Sequence, residues 1–404
     1  MKKSNIIWNT FGSVFYSICQ WIITILVVHI ADFEVAGYLS LAMTMSSSFS
    51  AISLFSMRNY QVSDVKGEFA TRQYVNSRIW TCVLAFVACA LFAFWGNSLY
   101  QVLCIDAFML IRVAEALVDV LHGVNQKYDR YDYIGISFTI RGIITVVGFV
   151  VGLIVTNDLL ITLIVIAVLN LFAAIVYDVR KTNQLEHLEM ALWDKRIPVL
   201  LKNCLPLVLI MFCLSLQNLI PKKILEFYYG AEQLGIYSSI ASPTLIIQVF
   251  SSVVFSPFLP MFSRIYYNGE IKIFRKLLHK TYLMLVVLTA VVTAGAMLLG
   301  RIGLTILFGK EILEYYHLFM PIVYCTLLTG MCWIISAIVI LLRKIKELLI
   351  AMIIDFGICV ACVCPVVRYY GQNGVSYVQL ISLPILVLLM IAICEITTIR
   401  ANRK

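Results

Sequence analysis

Long unbroken apolar runs dominate this chain and leave it few ways to fold. Twelve lie near residues 6–30, 36–57, 79–99, 102–123, 138–156, 158–177, 199–225, 235–263, 281–299, 316–342, 347–366 and 375–397. Each approaches the length that crosses a bilayer as a helix. In lipid only helices and closed barrels satisfy their own backbone groups, and runs this long without period-two alternation are helices. The expected fold is all-α: a polytopic membrane protein with twelve transmembrane helices. Composition excludes the competing classes. Only 13% of the 404 residues are charged and 61% are hydrophobic, against about 25% charged residues in soluble domains. Neither a soluble surface nor a disulfide scaffold can be built that way.

A net charge of +9 would ordinarily suggest an anionic polymer as partner. Its placement gives a different meaning. With the N-terminus inside, twenty-five of the 31 Lys and Arg fall on the cytoplasmic side of the twelve-helix alternation, Arg78 and Arg141 counted among them. Only Lys222, Lys223, Arg301, Lys310 and Arg368 fall outside, and Arg112 lies within a span. This positive-inside bias places both termini in the cytoplasm and removes the argument for nucleic-acid binding. Trp8, Trp80 and Trp95 sit near span ends, where indoles anchor at the interface. All twelve cysteines fall within spans, as small buried apolar groups do; a lone CxxC at Cys359 and Cys362 has no second pair and no nearby His.

Outside loops are only a few residues long, so no extracytoplasmic domain fits. The longest connection, 180–198, is cytoplasmic, and its HLEMALW stretch (187–193) suits an interfacial amphipathic helix. It divides the chain into six helices (1–198) plus six (199–404). The halves echo each other: the offset that carries Gly37 onto Gly235 also carries Gln20 onto Asn218, as duplicated transporter halves do.

Polar residues concentrate on particular helices. Asn9, Ser13, Tyr16 and Gln20 share one face of helix 1, and Ser40, Thr44 and Ser47 share one face of helix 2. Helix 7 ends with Gln217, Asn218 and Lys222, and helix 8 carries Tyr237, Thr244, Gln248 and Ser251. These stripes suit either a hydrated cavity or hydrogen bonds between helices. Helix 4 carries Arg112, Glu115 and Asp119 at i, i+3 and i+7, with His122 nearby. Such charges are costly in lipid unless paired or hydrated. Two readings stand: an Arg112–Glu115 pair within the helix, or an arginine fork for a phosphate. Lys222, after Pro221, breaks the positive-inside pattern, and Arg58 ends helix 2; both suit an anionic headgroup. Asp355 is the formal charge inside helix 11, and with Glu115 and Asp119 it is a candidate for coupling to H⁺ or Na⁺. No Walker A, GxSxG or HExxH sequence occurs, so neither a cofactor, a metal nor enzymatic chemistry is expected.

Several phrases, in their order and spacing, resemble the polysaccharide flippases of the multidrug/oligosaccharidyl-lipid/polysaccharide exporter superfamily. They include NTFGS (9–13), AGYLSLA (36–42), MRNYQVSD (57–64), DVLHGVNQKYDRYDYIGIS (119–137), LLKNCLPLVL (200–209), IPKKILEFYYGAEQLGIYSSIASP (220–243) and LFGKEILEYYHLFMP (307–321). The resemblance implies two six-helix lobes around a central cavity. It implies alternating-access transfer of an undecaprenyl-diphosphate-linked oligosaccharide across a bacterial cytoplasmic membrane. Polysaccharide polymerases, glycosyltransferases and membrane lipids are the implied partners, and cavity cations would bind the diphosphate. Arg58 and Lys222 match that role, and Arg112 is a further candidate. Relatives commonly carry Arg where this chain has Lys222, so a point charge would replace a fork. A drug/cation antiporter of the same superfamily, or a polytopic glycan polymerase or glycosyltransferase, are the alternatives. The first calls for cavity carboxylates and the second for a large outer loop or a carboxylate-bearing cytoplasmic one.

Overall fold

The computed structural model describes residues 3–64, 67–188, 194–245 and 258–402. Among them the structure is helical throughout, with no strand. Twelve principal helices follow in chain order: α1 (Lys3–Ile30), α2 (Phe33–Leu54), α3 (Thr71–Ala93), α4 (Leu99–Lys127), α5 (Tyr131–Thr156) and α6 (Leu159–Ala173). Then come α7 (Ile197–Tyr229), α8 (Ala231–Ala241), α9 (Ile271–Phe308), α10 (Phe319–Leu341), α11 (Ile345–Tyr370) and α12 (Gln372–Asn402). Short helices add to these: Met57–Ser63 after α2, Phe258–Tyr267 before α9, and a 3₁₀ segment, Glu311–Leu318, before α10. The chain is a multi-pass membrane protein.

Ten of the described helical stretches are long and apolar enough to cross a membrane. At 29 residues, α4 is as long as they are but carries the charges of its polar face. The expected eighth span begins with α8 and ends with Phe258–Tyr267; residues 246–257 between them, with Gln248 and Ser251, lie outside the described residues. So does most of the 187–193 stretch.

Local chemistry sets the helix ends. Asp32 accepts from the Val35 amide at 2.8 Å to start α2, and Asp158 accepts from Ile161 at 2.9 Å to start α6. Ser98 and Gln101 form a capping box at the start of α4. Each satisfies amides that the first turn leaves open. At the other end of α2, Phe55 and Ser56 both adopt left-handed backbone (φ 48° and 49°). This corner redirects the chain into Met57–Ser63.

Packing divides the chain into two compact units, Met1–Leu219 and Ile220–Lys404, with the division inside α7. In the first unit α1 crosses α5 with backbones nearly touching. A Cβ placed on Gly12 would collide with the Gly135 carbonyl, and one on Gly135 with the Trp8 carbonyl. In lipid, where burial of apolar surface drives nothing, such close approach is what holds helices together. Beside it lies a buried cluster that includes Phe55, Met57, Tyr74, Leu121 and Leu200. In the second unit Gly374 packs on the Val367 backbone where α11 turns into α12. Tyr237 of α8 bonds Ser376 of α12 at 3.0 Å.

Beyond the membrane-spanning helices, Asp64 organises the connection to α3. It accepts from the amides of Glu68 and Phe69 at 2.8 and 2.9 Å and from the Tyr74 hydroxyl at 3.0 Å. Burial works against its charge, but the Phe69 and Glu68 amides and the Tyr74 hydroxyl outweigh it and hold the carboxyl below its usual range.

Two outcomes are expected. Gly135→Leu forces α1 and α5 apart and abolishes the monodisperse peak in size-exclusion chromatography, whereas Gly357→Ala, with nothing within 4 Å of the added carbon, leaves it unchanged. Because the native Asp64 carboxyl is depressed, its charge stabilises the fold fully above the unfolded value and ceases to do so as pH falls through the native one. Wild type therefore loses melting temperature more steeply than Asp64→Ala between about pH 5 and pH 2, read by thermal scans at stepped pH.

Candidate functional site

A charged face on α4 must find partners or water at bilayer depth, and the first unit supplies them from every neighbouring helix. Arg112 Nη1 donates to Glu115 Oε2 at 2.7 Å, one turn along the same helix. The Tyr16 hydroxyl of α1 donates to the other oxygen of Glu115, and Gln20 donates to Tyr16 at 2.9 Å. One turn further, Asp119 accepts from Arg58 at 3.4 Å and from Arg78 at 3.0 Å. Arg58 also donates to Gln126 at 3.2 Å, and Arg78 to the Ser53 carbonyl at 2.6 Å. Thus Gln20, Arg112 and Glu115 form one cluster and Arg58 and Asp119 another, one turn apart on α4, and Glu115 and Asp119 line the same cavity.

Two arginines of the first unit were assigned to the cytoplasmic side by the charge count, and that assignment needs correction. Arg78 is 0% exposed and Arg141 is 2% exposed. Arg78 falls inside a helix because α3 begins at Thr71, well before its apolar run, whereas Arg141 lies within the 138–156 run itself and so in the body of α5. Arg141 faces Asp178 at 3.7 Å, and His122 faces the same carboxylate at 3.6 Å. Asp178 belongs to a π-helical turn, Ala174–Val179, that continues α6. Single π turns of this kind often mark functional positions. A cavity of about 120 Å³ opens among Tyr16, Glu115, Asp119, His122 and Arg141. A larger groove of about 500 Å³, with Val75, Phe86, Leu117 and Leu171 in its walls, is almost wholly apolar and suits hydrocarbon only.

Of the remaining candidates, Asn218 lies at the end of the first unit, and Lys222 and Asp355 belong to the second. Asn218 is exposed, whereas its neighbour Gln217 is buried. Lys222 is half-buried in the second unit, and the adjacent Lys223 is buried against Glu226 at 2.6 Å. Asp355 is buried, on the same face of α11 as Met352 and Cys359. Tyr237 of α8 and Thr244, in the 3₁₀ turn Ser242–Thr244 that follows it, engage Ser376 and Thr326, so this part of the polar stripe bonds helices together. Most cysteines are buried thiols and no disulfide forms among the described residues. No cluster of His, Cys, Asp and Glu fit for a metal occurs among the described residues.

The architecture is shared with known transporters. The lipid II flippase MurJ in an inward closed conformation superposes with a TM-score of 0.73 at 14% identity, over 98% of this chain and 91% of that one. An inward-facing multidrug resistance MATE family transporter of the MOP superfamily gives 0.71 at 12% identity, over 99% and 98%. In sequence, the capsular polysaccharide biosynthesis protein CapF of Staphylococcus aureus is 22% identical over 306 residues, 74% of this chain and 76% of its own. No family model matches the chain. The fold is that of MOP-superfamily transporters and of MurJ, and the resemblance read from the sequence holds at that level.

The Arg78–Asp119 pair yields a test. Removing the carboxylate strands the fully buried Arg78 guanidinium, at about 3–5 kcal/mol. Asp119→Leu is expected to lower thermal stability sharply in detergent, and Asp119→Leu with Arg78→Met to recover part of it.

Proposed function

We propose that this protein is a transporter, not an enzyme, that flips a lipid-diphosphate-linked oligosaccharide across a bacterial cytoplasmic membrane by alternating access. Both termini lie in the cytoplasm in this reading, and its lobes are 1–198 and 199–404. The observation that carries it is a transporter fold whose first unit gathers arginines among its helices, with Arg58 still part-exposed beside Asp119. A diphosphate is a dianion or more, and guanidinium is the side chain best matched to it. Arg58 and Lys222 are assigned to the diphosphate, with Arg112 held in reserve by Glu115. Gln20, Asn218 and Gln248 are assigned to the sugars. The similarity to a capsular polysaccharide biosynthesis protein supports the same substrate class, and surface-polysaccharide polymerases and glycosyltransferases are the partners such a substrate requires.

Carboxylates in the cavity wall favour a second reading, exchange of a cationic drug. Glu115 and Asp119 are each bonded to arginine, which leaves little negative charge to attract a cation. Their place in the flippase reading, with Asp355, is coupling to H⁺ or Na⁺.

Reconstitution in vesicles tests the proposal by following leaflet exchange of a lipid-diphosphate oligosaccharide. Arg58→Ala and Lys222→Ala are each expected to slow exchange roughly ten- to a hundredfold, the loss of one charged hydrogen bond. A wild type that moves no such lipid but expels small cations overturns the function. Full exchange in both variants overturns the site.

A further inference from the structure

Arg141 is the arginine in the wall of the first unit's cavity, which it shares with Glu115, Asp119 and His122. The ion-paired side chains in and behind that wall, Arg58, Arg78, Arg112 and Arg141 against Glu115, Asp119 and Asp178, hold one more arginine than carboxylate. The wall carboxylates are already engaged: Glu115 by Tyr16 and Arg112, Asp119 by Arg58 and Arg78. Arg141 is different. Its side chain is 2% exposed, it stands 3.7 Å from Asp178, and none of its three guanidinium nitrogens has a hydrogen-bond partner. His122 Nε2 and Asp178 Oδ1 are also without partners, but they face each other at 3.6 Å and can satisfy one another through a small approach. An equally small approach brings Arg141 Nη2 onto Asp178 Oδ2 and still leaves Nε and Nη1 of the guanidinium bare.

A buried guanidinium offers donors only, and leaving them unmet in a low-dielectric interior is costly. The cavity's unused hydrogen-bonding capacity is thus cationic. Its size is equally restrictive. About 120 Å³ exceeds several-fold the space one water needs, yet falls short of the ~300 Å³ of a drug-sized pocket. A small ion with some water fits; a sugar or a lipid diphosphate does not.

We propose that this cavity, walled by α1, α2, α4 and α5, binds a single halide-sized anion, chloride, held by Arg141. The anion neutralises the excess charge and completes the arginine's hydrogen bonds. It is a structural ligand of the first unit and does not depend on the transport reading.

Full-length protein in detergent, with gluconate replaced stepwise by chloride or bromide at constant sodium and ionic strength, tests this. The apparent melting temperature of wild type is expected to rise saturably, by about 2 °C per tenfold increase above half-saturation. Arg141→Gln is expected to lose that response, while Lys344→Gln in the second unit keeps it. Crystals grown in bromide are expected to show anomalous density beside Arg141, and this measurement decides the matter if Arg141→Gln fails to fold. A halide response equal in wild type and Arg141→Gln overturns the proposal. So does the absence of bromide within reach of Arg141.

Discussion

Asp119 is the residue around which the first unit is arranged. A charge within a membrane protein must be met by protein groups or by cavity water. Arg78 of α3 and Arg58 of the segment after α2 converge on this one carboxylate of α4. Arg78 also caps α2 through the Ser53 carbonyl, one of the acceptors that a helix C-terminus leaves open. One acidic side chain therefore fixes three elements, and the left-handed corner at Phe55 and Ser56 is the backbone geometry that lets Arg58 reach it.

The second unit joins its helices both by hydroxyl bonds, such as Tyr237–Ser376 and Thr326–Thr244, and by Glu395 of α12, which meets Arg275 at 3.4 Å and His279 at 2.9 Å, both on α9. Hydroxyl bonds of this kind are individually modest in membranes, about 0.6 kcal/mol on average. The cations proposed for substrate differ in setting: Arg58 meets Asp119 and Gln126, and Lys222 is adjacent in sequence to the buried Lys223–Glu226 pair.

Much of this was legible in the sequence. Apolar length gave the helices, and the i, i+3, i+7 spacing put Arg112, Glu115 and Asp119 on one face. The helix starts at Asp32, Ser98 and Asp158 were not read from it. The end of an apolar run is not the end of a helix, so Arg78 read as a loop cation while the backbone carries it into the core; Arg141, inside the 138–156 run, was counted with the loop that precedes it. Adjacent Lys222 and Lys223 cannot be told apart without the rotation of α7, and it is Lys223 that turns inward. The Gly12–Gly135 contact depends on which helices cross, and composition does not encode that.

The π turn of α6 has a geometric effect of its own. On an α-helix of 3.6 residues per turn, positions four apart rotate by about 40° at each step. Asn170, Ala174, Asp178 and Thr182 are spaced in fours and yet all are buried. A wider turn from Ala174 to Val179 rotates the chain back, so the accumulated drift is cancelled where it would have carried Asp178 out of line. The helix thereby presents a straight column of small and polar groups to α4, with Thr182 bonding Asn125 at its foot.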